Sequence, residues 1–279
     1  MGQRANVEER KSPSTRFWQS LFGSFAFKPL EVALPPPDPL RCETPVLRHA
    51  EIATVYSGQR VAGDFYEFRR VGPSRMLFVL LDMAGLRADT REILTAVQKT
   101  FRTLAPELFC TEDFNESDAM IKLCHAMNRT IMRGGLRSCP AFLGCYNEDL
   151  GTVCYANAGH TPALLRDHAG ITLLAATGLP LGLFSHTTQS AAICHLVPGS
   201  ALVVVSRGLV EVDRIEEDSQ VTEFGLDGVQ RSLQDTNVLG AHDLCLSVLR
   251  AAREFTPATV TQNDLTALAL VRNASHYVA

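Results

Sequence analysis

No stretch of this 279-residue chain approaches the roughly 20 consecutive apolar residues that a bilayer-spanning helix needs. Its first residues also lack the apolar block and small-residue cleavage site of a secretory leader, so a cytoplasmic protein is expected. A basic surplus is missing as well. The 26 Lys and Arg against 30 Asp and Glu leave a formal charge of −4, which argues against a phosphate-backbone binder and so against nucleic acid as a partner. No CxxC pair occurs among the eight cysteines, whose scattered, mostly apolar surroundings suit buried reduced thiols better than zinc ligands. What remains is ordinary globular usage, 46% hydrophobic and 20% charged, ample for one sizeable core.

Composition divides the chain near residue 40. Residues 1–40 begin charged and end in Leu34-Pro35-Pro36-Pro37-Asp38-Pro39, a run that fixes φ, removes donors and reads as a stiff linker. Within this tail Phe17, Leu21 and Phe25 recur at helical spacing beside Trp18 and Phe22. Residues 14–27 therefore read either as a docking helix for a protein or membrane surface, or as a stripe that packs on its own domain. Residues 41–279 carry one α+β domain. Strands are predicted over 46–56, 64–70, 76–81, 141–146, 151–157, 163–166, 170–174, 191–195, 201–205 and 265–271, with helices over 89–104, 117–132 and 241–254. Runs of strands around segregated helical blocks predict packed sheets flanked by helices rather than alternating βαβ units.

Seven segments stand in order: Gly63-Asp64-Phe65-Tyr66-Glu67-Phe68, Asp82-Met83-Ala84-Gly85, Asn157-Ala158-Gly159-His160-Thr161-Pro162-Ala163, Gly178-Leu179-Pro180-Leu181-Gly182, Ser206-Arg207-Gly208-Leu209-Val210-Glu211, Phe224-Gly225 and Asn263-Asp264-Leu265-Thr266. This succession resembles the PPM-type metal-dependent serine/threonine protein phosphatases, in their bacterial SpoIIE/RsbU branch. The resemblance covers roughly residues 45–273. It implies a four-layer αββα fold, a β-sandwich of two mainly antiparallel sheets with helices outside. It also implies two Mg²⁺ or Mn²⁺ ions at the strand ends and a phosphoserine- or phosphothreonine-bearing regulatory protein as substrate. Hard cations take oxygen ligands, and a metal pair activates water while neutralising phosphoryl charge. By the resemblance, Asp82 bridges the metals, the Met83 carbonyl is a ligand beside it, and Asp64 orients metal-bound water, which makes Asp64 and Asp82 the catalytic carboxylates. Asn157 and His160 are read as hydrogen-bonding a corner between strands.

Other positions depart from the family pattern. The loop after Asp82, usually Gly-His-Gly, is Gly85-Leu86-Arg87 here. The strand-end aspartate that holds the second metal is Arg207, and the first aspartate of the last motif is Asn263, with Asp264 alongside. Arginine is always cationic and offers only donors. At an effective dielectric near 20 a cation about 4 Å from Mg²⁺ is repelled by roughly 8 kcal/mol, so the second metal is not expected to bind, and a salt bridge from Arg207 to Asp82 is predicted in its place. Three functions follow from these residues: a phosphatase with impaired metal-dependent catalysis, a pseudophosphatase that binds or scaffolds a phosphoprotein, and a signalling output module coupled through residues 14–27. The linker composition also makes residues 1–40 dispensable for folding. A truncation starting near Arg41 is expected to stay soluble and to melt within a few degrees of full length; insoluble product would mean that Phe17, Trp18 and Phe22 complete the core.

Overall fold

The structure, a computed structural model, describes residues 42–57, 63–83, 87–110, 115–135, 138–186, 188–215, 220–236, 240–256 and 264–274. Every described residue belongs to the unit Leu40–Ala279. Residues 14–27 and the proline run lie outside the described residues.

Two antiparallel five-stranded sheets form the centre. In chain order the strands are β1 Ala50–Ser57, β2 Phe65–Val71, β3 Arg75–Leu81, β4 Ala141–Asn147, β5 Thr152–Ala158, β6 Ala163–Asp167, β7 Gly170–Leu174, β8 Ala192–His195, β9 Ala201–Val205, β10 Asp213–Ile215, β11 Val221–Glu223 and β12 Leu265–Arg272. One sheet has the order β1-β12-β9-β6-β7, the other β2-β3-β4-β5-β8, and β10 and β11 make a separate small hairpin. The helices are α1 Arg87–Phe109, α2 Glu116–Arg133, α3 Arg207–Val210, α4 Gly225–Asp235 and α5 Ala241–Phe255. None of them is long and apolar enough to cross a membrane, among the described residues.

The period-2 alternation of a strand divides its side chains between two cores. On β3, Met76, Phe78 and Leu80 point between the sheets, while Leu77, Val79 and Leu81 face α1 and α2. On β9, Leu202 and Val204 turn inward, and Ala201, Val203 and Val205 pack under α4 and α5. Both faces are covered, so these strands are apolar at nearly every position. The outcome is helix, sheet, sheet, helix. Between the sheets the Phe142 and Tyr155 rings stack at 5.5 Å. Gly144 leaves room for Phe78, whose ring would lie 2.2 Å from any Cβ added there.

Several boundaries differ from the sequence reading for local reasons. β1 starts at Ala50, and Val46 before it is 89% exposed. α1 runs through Pro106 to Phe109, because burial of Ala105 and Phe109 against the sheet outweighs the lost N–H of the proline. α2 starts one residue earlier than expected, at Glu116, because Asn115 caps it by accepting the Asp118 N–H on its side chain. α4 and the β10–β11 hairpin were not expected at all.

The chain crosses between sheets at the β5–β6 corner. Asn157 Oδ1 accepts the His160 N–H at 2.8 Å, and Asn157 Nδ2 donates to the Thr161 carbonyl at 3.3 Å. Gly159 adopts φ 65°, and a Cβ there would fall 2.5 Å from the Pro180 ring, which joins the Asn157–Ala163 and Gly178–Gly182 segments in space. The Thr161 hydroxyl donates to the Val205 carbonyl. Its single proton is thereby used, so His160 Nδ1, 3.0 Å away, is the N–H donor to Thr161 Oγ1. That leaves His160 Nε2 as a buried lone pair without a partner among the described residues. Burial lowers the pKa of His160 from 6.5 to about 4, with the Thr161 backbone contact acting weakly the other way. The unfolded chain takes up this proton first, so stability from the neutral imidazole is complete above pH 6.5 and is lost as pH falls towards 4. The destabilisation caused by His160→Gln, measured by urea unfolding, should therefore shrink by about 3 kcal/mol between pH 7.5 and pH 4. A pH-independent difference would contradict burial of His160 as the neutral imidazole.

Candidate active site at the strand ends

The β2–β3 hairpin pairs Phe65 with Leu81, which brings Asp64 at the head of β2 beside Asp82 at the tail of β3. The approach needs a glycine: a Cβ on Gly63 would lie 2.5 Å from the Met83 carbonyl oxygen. From the opposite sheet, the pairing of Val205 with Ala267 sets Ser206, after β9, beside Thr266 in β12. The Ser206 N–H donates to the Thr266 carbonyl at 2.9 Å, and the Thr266 N–H donates to Ser206 Oγ at 3.0 Å.

Two carboxylates link the sheets across this junction. Asp64 Oδ2 accepts from the Thr266 hydroxyl at 2.6 Å. Asp82 Oδ2 accepts from the backbone N–H of Arg207 at 3.0 Å, while the Asp82 N–H donates to the Pro140 carbonyl at 2.9 Å. Burial raises the pKa of Asp64 to about 7; the Thr266 and Ser206 hydroxyls pull it down, and the charges of Asp82 and Asp264 push it up. Burial also raises Asp82, against the N–H and the charge of Arg207, with Glu211 adding to the rise. Asp264, just before β12, is buried and its Oδ2 has no partner among the described residues.

Arg207 does reach Asp82, but through its amide. Its guanidinium turns away: Nε donates to Glu211 Oε1 at 2.6 Å, an i,i+4 pair whose arginine side chain is 64% exposed. The predicted Arg207–Asp82 salt bridge is therefore replaced by a backbone contact, because a carboxylate one helical turn ahead reaches the guanidinium at less cost in desolvation. Glu211, Ser206 and Thr266 were not assigned roles from sequence, although all three lie inside the quoted motifs. Leu86 and Asn263 lie outside the described residues, and of Arg87 only its place as first residue of α1 is described.

A divalent-cation pair calls for several converging oxygen ligands. Of the expected ligands, Asp64, Asp82, Asp264 and the Met83 carbonyl lie among the described residues, next to the ends of β2, β3 and β12. Among the described residues no three His, Cys, Asp or Glu side chains gather closely enough to hold an ion. All eight cysteines are free, and burial raises the thiols of Cys124 and Cys245 to about 12, so they stay protonated.

A search of curated proteins gives no match. Among solved structures, the chain is similar to the RsbU and RsbW domains of Rv1364c from Mycobacterium tuberculosis, with a TM-score of 0.65 and 23% identity over 82% of this chain and 63% of that one. It is similar to the PP2C phosphatase domain and regulatory fragment of SpoIIE from Bacillus subtilis, with a TM-score of 0.61 and 13% identity over 80% of this chain and 63% of that one. The SiaA-PP2C domain of Pseudomonas aeruginosa gives a TM-score of 0.62 and 16% identity over 78% and 83%. The chain thus spans less than two thirds of the first two structures, and at these identities the likeness establishes the fold. The family described as Stage II sporulation protein E (SpoIIE) matches residues 72–273. Those residues include every motif from Asp82 to Asp264, and the chain belongs to the SpoIIE family of PP2C-type phosphatase domains.

Proposed function

We propose that this chain is a SpoIIE/RsbU-like phosphatase domain of cytoplasmic bacterial signalling, whose metal-dependent hydrolysis of phosphoserine or phosphothreonine on a regulatory protein is impaired. The observation that carries this reading is Arg207. It stands where the resemblance calls for a metal carboxylate, and it contributes an amide to Asp82 and a fixed positive charge to the rim. The donor set fits a pair of cations poorly: an arginine stands at one expected ligand position, and Asp82 and Asp64 each already accept a hydrogen bond on Oδ2, which leaves fewer lone pairs for metal. Among the described residues Asp264 Oδ2 is a buried carboxylate oxygen with no partner, an environment that favours a cation, and a single Mg²⁺ or Mn²⁺ suits this donor set better than a pair. Without a second metal, the two-metal activation of water that the resemblance implies would be lost.

A second reading is a pseudophosphatase that binds or scaffolds a phosphoprotein. The Asp82–Arg207 contact favours it, because it closes the junction with protein groups alone. Under either reading residues 1–40 serve as a tail outside the catalytic fold, with residues 14–27 as a docking segment.

The wild-type chain is expected to show background-level Mn²⁺-dependent hydrolysis of p-nitrophenyl phosphate and of phosphopeptide. Arg207→Asp combined with Asn263→Asp should bring a measurable Mn²⁺ heat in calorimetry, since it returns two oxygen ligands and reverses the local charge. Robust manganese-stimulated turnover by the unmodified chain, abolished by Asp82→Asn, would restore an ordinary phosphatase assignment.

A further inference from the structure

Away from the strand ends, α2 and the loop that follows β7 enclose an open cleft of about 530 Å³. Its lining is Lys122, His125 and Arg129 from the helix and Ser185, His186 and Thr188 from the loop. The three helical residues share one face at i, i+3 and i+7. In a chain of net charge −4 this is a local concentration of basic groups with no acidic residue in the lining. Nor does any of the four basic side chains make an ion pair or hydrogen bond to another described residue. Like charges on Lys122 and Arg129 with no acidic partner among the described residues do not stabilise the fold by pairing.

The cleft is also built rather than incidental. Asn128, buried on the same helix, accepts the Gly182 N–H on Oδ1 at 2.6 Å and donates from Nδ2 to the Phe184 carbonyl at 3.0 Å. Gln189 closes the far side by donating to the Leu179 carbonyl at 2.8 Å. The loop is thereby clamped on the helix, and its hydroxyls are brought opposite the basic face. Clamping also leaves Leu183 and Phe184 exposed at 40% and 54%, on the stretch that leads into the cleft.

We propose that this cleft is a recognition site for a phosphorylated segment of a partner protein, resting on the phosphoprotein partner proposed above and adding a foothold separate from Asp82. A phosphate monoester carries close to two negative charges and three acceptor oxygens, which match two permanent cations, two imidazoles and two hydroxyls better than a single carboxylate does. Concavity suits a protruding phosphate rather than a flat lipid surface. The exposed Leu183 and Phe184 supply the apolar contact that a peptide would use and a free anion would not. None of Asp64, Asp82 and Arg207 lines the cleft, so occupancy there is independent of hydrolysis at the strand ends.

The test is a fluorescence-anisotropy titration of the full chain in EDTA with a labelled phosphoserine peptide, its unphosphorylated form and inorganic phosphate as competitor. Phosphatidylserine vesicles are run in parallel by co-sedimentation. The phosphopeptide is expected to bind at least about tenfold tighter than the unphosphorylated form, the worth of one charge-assisted hydrogen bond. Lys122→Ala combined with Arg129→Ala should remove that preference with an unchanged melting temperature, whereas Asp82→Asn should leave it intact. Equal binding of both peptides would overturn the proposal. So would a preference lost in Asp82→Asn but kept in the double variant, which would put the phosphate at the strand ends. Vesicle binding that Lys122→Ala with Arg129→Ala abolishes, without phosphopeptide binding, would assign the cleft to lipid and overturn it too. Since EDTA removes divalent cations, each of these outcomes leaves the manganese assay of the strand-end site unaffected.

Discussion

The contact on which the rest of this molecule depends is the carboxylate of Asp82 accepting the backbone N–H of Arg207 across the junction of two sheets. Asp82 ends a strand of one sheet and Arg207 follows a strand of the other. The link between Asp64 and Thr266 runs parallel to it. A sandwich held mainly by non-directional burial would tolerate sliding of one sheet over the other, and directional hydrogen bonds to charged groups at the strand ends set the register. The same geometry leaves Asp64 desolvated, with a pKa near neutrality. A carboxyl in that state is a poor anchor for a cation unless the cation itself supplies the compensating charge.

Much of this was legible in the sequence because both faces of the central strands are buried. Met76–Leu81, Ala201–Val205 and Leu265–Val271 are near-continuous apolar runs, and each became a strand between two cores. The position of Asp82 followed from the apolar run Met76–Leu81 that stops just before it, and that of Asp64 from the strand expected to begin there. The elements that escaped carry weak local signals. α4 begins at Gly225 in a left-handed conformation with φ 65° and has Phe224 rather than a polar cap before it, so its start gives no capping cue. Strands β10 and β11 have three residues each, too few for a period to show.

The Arg207 side chain is the instructive miss. Pairing with Asp82 was argued from where the family places its ligands, a long-range premise. Glu211, four residues on, offered a local partner that needs no tertiary assembly, and helical spacing alone was enough to indicate it. The consequence for chemistry is mixed: the positive charge stays near Asp82 but points outward, so the junction is altered by loss of a ligand more than by an inserted cation. The α2 cleft shows the complementary pattern, with basic groups that have no acidic partner among the described residues on a surface whose backbone is firmly held. If the proposed cleft binds a phosphorylated segment, recognition and hydrolysis would be carried by different parts of the fold.

The central claim is that the strand ends are completed by protein groups instead of a metal pair. Its most direct test is anomalous diffraction at the manganese edge from crystals of the wild-type chain grown in excess Mn²⁺. The account predicts at most one manganese peak beside Asp82 or Asp264, with the Arg207 N–H still on the Asp82 carboxylate. Two peaks about 3.5–4 Å apart, bridged by Asp82 in the manner of a two-metal hydrolase, would contradict it.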